Sequence, residues 1–298
     1  MLAMPIGRRS QIWILFALLA GAALIVSPTI RKSLLPRSGK QVKGIVWQVD
    51  NATVNIQGRW DELGVSRLLV QWSVVDDLAF IPGVEGVPTA QQLPDWTRIA
   101  REPWAKEVIL GLAGRFRELE ARSRMGDLAA MSRRLAQLPT PLNVVGWYFP
   151  VEVDPTWTDA PRMALLLAQL PRPLWVSVYD STNVGADVLA DWLTTWLPPD
   201  VGVFFQDGVG VHARDPSTAR HYADVLSSSL GASRLRMIVE AFRPDPRGGF
   251  RAATAAELAP QIAAYDGYEL YLFDGPHYVS DELVTRLAAA LINAAAEK

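Results

Sequence analysis

Eight short apolar segments are the feature of this sequence that most restricts its fold. Each is six to eight residues long and mostly apolar without strict alternation, which is typical of strands buried on both faces. The segments begin at Gly44, Arg67, Glu107, Val144, Leu174, Val201, Leu235 and Tyr268. Such strands predict a largely parallel sheet with helices packed against it.

Helix signals lie between these segments. Gly64 follows WDEL as a C-cap. Asp159, with Pro161 near the first turn, and Asp215, with Pro216, are the predicted N-caps. Thr254 and Glu257 have the spacing of a capping box. Eight strands that alternate with helices predict a (β/α)8 TIM barrel, and a doubly wound sheet remains the alternative. The longest connection, residues 73–106, is expected to form a loop over the barrel mouth with a short helix near Trp96.

The N-terminal segment has a different character. Arg8 and Arg9 precede residues 12–26, which contain no charge, and no clear cleavage site follows. We expect residues 1–40 to be a signal anchor or signal peptide plus a linker, and residues 41–298 to be the barrel domain. The predicted location is the inner membrane, through this N-terminal hydrophobic helix, with a periplasmic domain. If the signal is cleaved, the protein is instead secreted or periplasmic.

Composition narrows the functional classes. The net charge is −2 and there is no cysteine, so neither a basic field for nucleic acid nor a thiolate site is expected. The three histidines lack zincin spacing, and there is no dinucleotide fingerprint, P-loop lysine or G-x-S-x-G motif. We therefore predict no metal, no cofactor and no nucleic-acid partner.

Polar and aromatic side chains gather where the predicted strands end, which is where barrel enzymes place their active sites. Asp50, Asp180 and Asp274 adjoin loops and are interpreted as turn or cap residues. Tyr148 is expected in the lumen, because it shares the parity of Glu152, and Trp147 under a helix. The predicted substrate-binding residues are Gln48, Gln71, Trp72, Tyr148, Tyr179, Gln206 and Asp207.

Two glutamates follow the fourth and seventh strands, Glu152 and Glu240. Glycoside hydrolysis needs two carboxyl groups beside the scissile bond, one protonated and one ionised. We therefore predict both as catalytic residues that open to one cleft. Arg243 either holds Glu240 ionised or is a solvated loop arginine.

Several of these segments carry a family resemblance. GWYFPVEVD from Gly146, FFQDGVG from Phe204, MIVEAF from Met237 and LLVQW from Leu68 resemble strands of the domain of unknown function 4434 family, whose members are glycoside-hydrolase-like barrels. The layout is also similar to the large clan of retaining glycosidases. That resemblance implies Glu152 as acid/base and Glu240 as nucleophile. The clan's asparagine before the acid/base is replaced by Val151.

Together these features predict an extracytoplasmic barrel that cleaves a polysaccharide or oligosaccharide with retention. Two alternatives remain open. One is a catalytically silent glycan-binding barrel in cell-surface polysaccharide assembly, and the other is a scaffolding protein.

Overall fold

The eight apolar segments all form parallel strands in the computed structural model, which describes residues 42–296. The barrel strands are β1 (Val42–Trp47), β2 (Arg67–Val70), β3 (Glu107–Gly111), β4 (Val144–Tyr148), β5 (Leu174–Val178), β6 (Val201–Gln206), β7 (Leu235–Glu240) and β8 (Leu270–Phe273). The predicted strand positions are thus confirmed, although β1 begins two residues before Gly44 and β8 two residues after Tyr268.

The sheet closes on itself because β8 pairs with β1. Leu270 is opposite Val42, Tyr271 is opposite Gly44, and each other strand pairs with its neighbours in the chain. This pairing confirms the barrel and excludes the doubly wound sheet, whose edge strands stay open. Gly44 is needed at this seam, because the ring of Tyr271 occupies the space that a Cβ there would take.

The apolar centre of the lumen contains one buried side chain from each strand, as expected for an eight-stranded barrel. These side chains form a cluster separate from the rest of the core and consist of Val46, Leu69, Ile109, Tyr148, Trp175, Phe204, Ile238 and Tyr271. Trp147, one residue from Tyr148, packs instead on the outer core between strands and helices. Side-chain alternation along β4 is therefore as predicted.

Helices surround the barrel. They are α1 (Trp96–Ile99), α2 (Glu118–Ser123), α3 (Met125–Leu135), α4 (Met163–Leu167), α5 (Ala186–Trp196), α6 (Pro216–Leu230), α7 (Ala255–Ala264), α8 (Gly275–Tyr278) and α9 (Asp281–Ala296). Short 3₁₀ turns occupy Trp60–Leu63, Pro103–Ala105, Ala160–Arg162 and Ala232–Arg234. The long helical stretch after β3 breaks between Ser123 and Met125, slightly before the expected break at Gly126.

Most predicted caps are confirmed. Asp215 accepts the N–H of Thr218, and Thr254 and Glu257 form the capping box of α7. Gly64 ends its 3₁₀ turn with a positive φ of 97°. The N-cap prediction for Asp159 is wrong, because its side chain makes no capping hydrogen bond and a 3₁₀ turn follows it.

The connection between β2 and β3 contains two short strands. Its strands Val74–Val75 and Leu78–Ala79 pair with each other, and the first also pairs with Ala113–Gly114 after β3. The expected short helix near Trp96 is α1. The connection is therefore anchored to the segment that follows β3.

The predicted apolar segment at residues 12–26 lies outside the described residues. Between residues 42 and 296, no helix combines the length and the apolar character needed to cross a membrane.

Candidate functional site

A cavity of about 210 Å³ opens at the carboxyl ends of the strands. Its wall contains five of the nine predicted site residues, namely Gln48, Gln71, Tyr148, Glu152 and Gln206. Gln48, Gln71, Tyr148 and Gln206 meet here because they share the inward parity of the lumen residues on their own strands. The cavity therefore joins an apolar floor to a polar mouth.

Glu152 reaches this cavity on a loop rather than on a strand. β4 ends at Tyr148, and Val153 then pairs with Val178 of β5 through a bridge that continues the sheet. The Glu152 backbone N–H donates to Glu118 Oε2 at 3.0 Å, and its carbonyl oxygen accepts from Arg122 Nε at 3.2 Å. These contacts fix the backbone that delivers the carboxyl group.

Burial shifts the balance of the Glu152 carboxyl group toward its protonated form. Burial raises its pKa above the ordinary value, while a hydrogen bond from Gln206 Nε2 opposes the rise. Gln206 is the last residue of β6, so the strand holds its backbone in place at the mouth. A buried glutamate with one amide donor has the properties of a general acid.

Glu118 is a second carboxyl group in this cavity, and the sequence analysis missed it. It begins α2 and lines the cavity beside Glu152. Burial, and then the charge of Glu152, raise the pKa of Glu118 to about 7. Its position soon after the carboxyl end of β3 is a sequence signal for a site residue, but the helical pattern of the segment alone does not indicate this role.

Two further predicted residues extend the polar wall. Tyr148 is almost fully buried and donates its hydroxyl to Ser177 Oγ at 2.8 Å. Gln71 lines the cavity, and within residues 42–296 its buried Oε1 has no hydrogen-bond partner. That oxygen is an acceptor without a donor at the mouth.

Glu240 lies beside this cavity but is covered. It ends β7, is only 5% exposed, and its Oε2 accepts the N–H of Val211 at 3.2 Å. A Cβ at Gly210 would lie 2.8 Å from that Oε2, so only glycine lets the loop pass so close. Glu240 is not among the residues that line either cavity described here. The expectation that both glutamates open to one cleft does not hold in this conformation.

The residues around Glu240 favour its neutral form. Burial, and then the charge of Asp207, raise the pKa of Glu240 to about 8. Asp207 receives four hydrogen bonds, from the N–H groups of Val209 and Glu240, from Gln261 Nε2 and from the hydroxyl of Tyr265. Burial raises the pKa of Asp207 as well, and its four donors oppose that rise, so we assign the negative charge of the pair to Asp207 and the proton to Glu240.

The predicted substrate contact of Asp207 does not fit this arrangement. Asp207 is fully buried, and both of its oxygens are occupied by donors from the protein. It is instead a positioning residue that ties β7 to α7 below Glu240.

Arg243 also differs from both sequence interpretations. Its guanidinium is 6% exposed and donates to the backbone oxygens of Glu240 and Phe242 and to Gln261 Oε1. It neither pairs with the Glu240 carboxyl group nor lies in solvent, because its hydrogen bonds tie the backbone after β7 to Gln261 of α7.

Tyr179 lies close enough to both glutamates for their charges to affect its pKa. Burial raises the pKa of its half-buried phenol, and the charges of Glu240 and Glu152 both contribute in the same direction. The guanidinium of Arg214 lies 5.5 Å from its ring centroid. Both carboxyl groups therefore act on one phenol, although Tyr179 lines neither cavity.

A larger cleft of about 480 Å³ adjoins the first cavity and shares Gln48, Phe116 and Phe273 with it. Trp72, a predicted binding residue, is in its wall, and its Nε1 donates to the carbonyl oxygen of Val49 at 2.8 Å. Phe116 is 65% exposed and meets Trp72 edge-on at 6.4 Å between ring centroids. The sequence analysis missed Phe116 and Phe273, which gave no signal as isolated aromatic residues.

The three aspartates interpreted as turn or cap residues divide into two groups. Asp50 accepts three hydrogen bonds from Ala52 and Thr53, and Asp180 accepts the N–H of Val184, so both are turn residues. Asp274 makes no capping bond at α8. It accepts instead from the Gln48 N–H at 3.2 Å and contacts His277 Nδ1 at 2.7 Å. The cap interpretation of Asp274 is wrong.

Comparisons with known proteins add no assignment. No family model matches the sequence, and no relative is found among curated proteins. The resemblance to the domain of unknown function 4434 family stays a prediction. Among the described residues there is no cluster of three or more side chains that could hold a metal ion.

Proposed function

We propose that this barrel is an extracytoplasmic glycoside hydrolase that cleaves a bond in a polysaccharide with retention. Glu152 gives its proton to the glycosidic oxygen while Glu240 attacks the anomeric carbon. Water then releases the sugar from Glu240, and Glu152 takes up the proton of that water. The family resemblance is the source of these two roles.

The observation that carries the proposal is the position of Glu152. It lines an open cavity at the carboxyl ends of barrel strands, its pKa is raised by burial, and three glutamine side chains share its wall. Glutamine amides and buried acids are the groups that bind sugar hydroxyls and protonate a leaving oxygen. An open mouth also weighs against the scaffolding alternative, because a purely structural barrel needs no open cavity there and is favoured by a mouth filled with side chains.

The mechanism requires a rearrangement at Glu240. The carboxyl group must lose its proton, and the segment from Gly210 to Val211 must move away before it can attack a sugar. This covered position is the specific observation that favours the second candidate, a silent glycan-binding barrel in surface polysaccharide assembly.

Hydrolysis of a glycan panel by the purified full chain separates the two candidates. We expect new reducing ends with the wild type and with Glu120→Gln, whose exposed side chain lies on α2 near Glu118, but none with Glu152→Gln. Binding of a glycan without any release of reducing ends would overturn the hydrolase proposal and support the binding protein.

The extracytoplasmic location is part of the proposal and rests on residues 1–40. Fractionation of cells that produce the full chain tests it. A cytoplasmic full-length protein would contradict the anchor, the signal peptide and the glycan assignment together.

A further inference from the structure

The larger cleft beside the cavity has an acidic side that the proposed reaction does not use. Asp50, Asp76 and Asp274 line it, together with His277. None of the described residues in its wall is lysine or arginine. Carboxylates therefore outnumber cations by two even when His277 is protonated. Such a wall attracts a positively charged ligand.

His277 organises this acidic side. Its Nδ1 contacts Asp274 Oδ2 at 2.7 Å, and its Nε2 lies 3.3 Å from Asp50 Oδ2. The hydrogen bond with Asp274 raises the pKa of His277, and burial raises the pKa of Asp274 to about 6. The imidazole thus holds one oxygen of each carboxylate.

The imidazole of His277 does not contact the second carboxylate oxygen of Asp274, Oδ1. The side chain is 1% exposed, and within residues 42–296 its buried Oδ1 has no hydrogen-bond partner. A buried carboxylate oxygen without a donor costs about 1–3 kcal/mol. Because Asp274 lines the cleft, a ligand N–H donor that reaches this oxygen removes the cost.

The wall of the cleft is also rich in aromatic side chains. Trp72, Phe80, Phe116, Phe273 and Tyr278 line it, and the exposed ring of Phe116 stands at the boundary with the first cavity. Aromatic faces bind the C–H faces of sugar rings and also attract cations. The cleft volume of about 480 Å³ lies within the range of ligand sites, roughly 300–1,000 Å³.

We propose that this cleft is a subsite for a sugar unit with a free amino group. The ring of that unit packs on Phe116 and Trp72, and its ammonium faces Asp50, Asp76 and Asp274. The inference rests on the proposed function, because it names the substrate as a polysaccharide that contains de-N-acetylated hexosamine.

Binding of three tetrasaccharides to the full chain tests the inference. They are the β-1,4-linked tetramers of glucosamine, N-acetylglucosamine and glucose, measured by calorimetry with the Glu152→Gln variant so that none is consumed. We expect the glucosamine tetramer to bind about tenfold tighter than either neutral tetramer, as a few charge contacts at a partly exposed site allow.

Single substitutions of the cleft aspartates test whether the preference for the glucosamine tetramer arises in this cleft. Asp76→Asn is the main one, because asparagine tolerates the φ of 50° at this position and keeps an acceptor for the Phe116 N–H. Asp50→Asn likewise keeps the turn, whereas buried Asp274 is less suited to substitution. We expect each of the two variants to weaken glucosamine binding about threefold to fivefold without changing the weaker neutral binding.

Asp77→Asn is the matched control. It makes the same chemical change one residue away, also at positive φ, but its side chain contacts Arg115 and is not in the cleft wall. We expect it to keep the full preference. Thermal melts confirm that all variants are folded.

The outcomes separate this inference from the proposed function. Equal affinity for the three tetramers, or a preference that survives both aspartate substitutions, overturns the amino-sugar subsite even if a neutral glycan is hydrolysed. A clear preference for glucosamine with no hydrolysis of any glycan supports the subsite and overturns the hydrolase proposal alone.

Discussion

The pH dependence of stability at Glu240 is the sharpest consequence of the buried pair. The folded protein raises the pKa of this glutamate from 4.5 to about 8. A carboxyl group with a raised pKa stabilises the fold fully below its unfolded value and loses that contribution as pH rises to the folded value. Glu240→Gln removes the titration and preserves the shape of the neutral side chain.

The magnitude follows from the two pKa values. One pH unit corresponds to about 1.36 kcal/mol, so titration at 4.5 unfolded and about 8 folded changes the free energy of unfolding by about 3.5 kcal/mol between pH 5 and pH 8. We therefore expect the Gln variant to gain about 2–3.5 kcal/mol relative to the wild type over this range, with the lower end set by the coupled titration of Asp207.

Urea unfolding of both proteins at pH 5, 6, 7 and 8 measures this difference. Glu257→Gln is the control with the opposite sign. The hydrogen bond with Arg251 is the main reason that the pKa of Glu257 is lowered to about 2, so its stabilisation is lost only below pH 4.5. Its difference from the wild type should stay constant from pH 5 to pH 8. A constant difference for Glu240→Gln as well would refute the protonated Glu240 inferred here.

Three further predictions concern the same mouth. Gly210→Ala should destabilise the protein by about 1–3 kcal/mol in urea unfolding, because the added methyl group overlaps Glu240, whereas the exposed helical Gly126→Ala should not. Tyr148→Phe should cost about 0.5–1.5 kcal/mol in the same assay through the lost hydrogen bond to Ser177, and a cost near zero would show that this bond contributes nothing. If the hydrolase proposal holds, Asp207→Asn should lower the pKa of Glu240 and move the rising limb of the pH–activity curve to lower pH. An unmoved limb would mean that Glu240 is not the group that must ionise.

The strands could be predicted because their signal is local. Each barrel strand is buried on both faces, and such burial requires a nearly uninterrupted run of apolar residues in the sequence. The capping residues Asp215 and Thr254 are equally local, since the groups they bind lie three residues away. Asp159 has the same sequence signal, but the chain continues as a 3₁₀ turn and leaves that cap unused.

The site was only partly predictable because its partners are distant in the chain. Parity along a strand is enough to bring Gln48, Gln71 and Gln206 to one cavity. The role of Asp207 depends instead on Gln261 and Tyr265, which are 54 and 58 residues further along. Nearness in sequence was misleading for Arg243, whose guanidinium binds the backbone of Glu240 rather than its carboxyl group.

The segment after β6 connects these observations, because it determines which carboxyl group meets a ligand. The Val209 N–H binds Asp207 and the Val211 N–H binds Glu240. One short turn therefore stabilises the Asp207 carboxylate and also covers the protonated Glu240. At the end of the segment, Arg214 Nε donates a hydrogen bond to Asn183 Oδ1 at 2.9 Å. While these bonds hold, Glu152 faces the cavity and Glu240 does not. Hydrolysis and silent binding therefore differ in whether a bound glycan can displace the Val211 N–H from Glu240, and the energy available for that displacement is the binding energy of the cavity and its adjoining cleft.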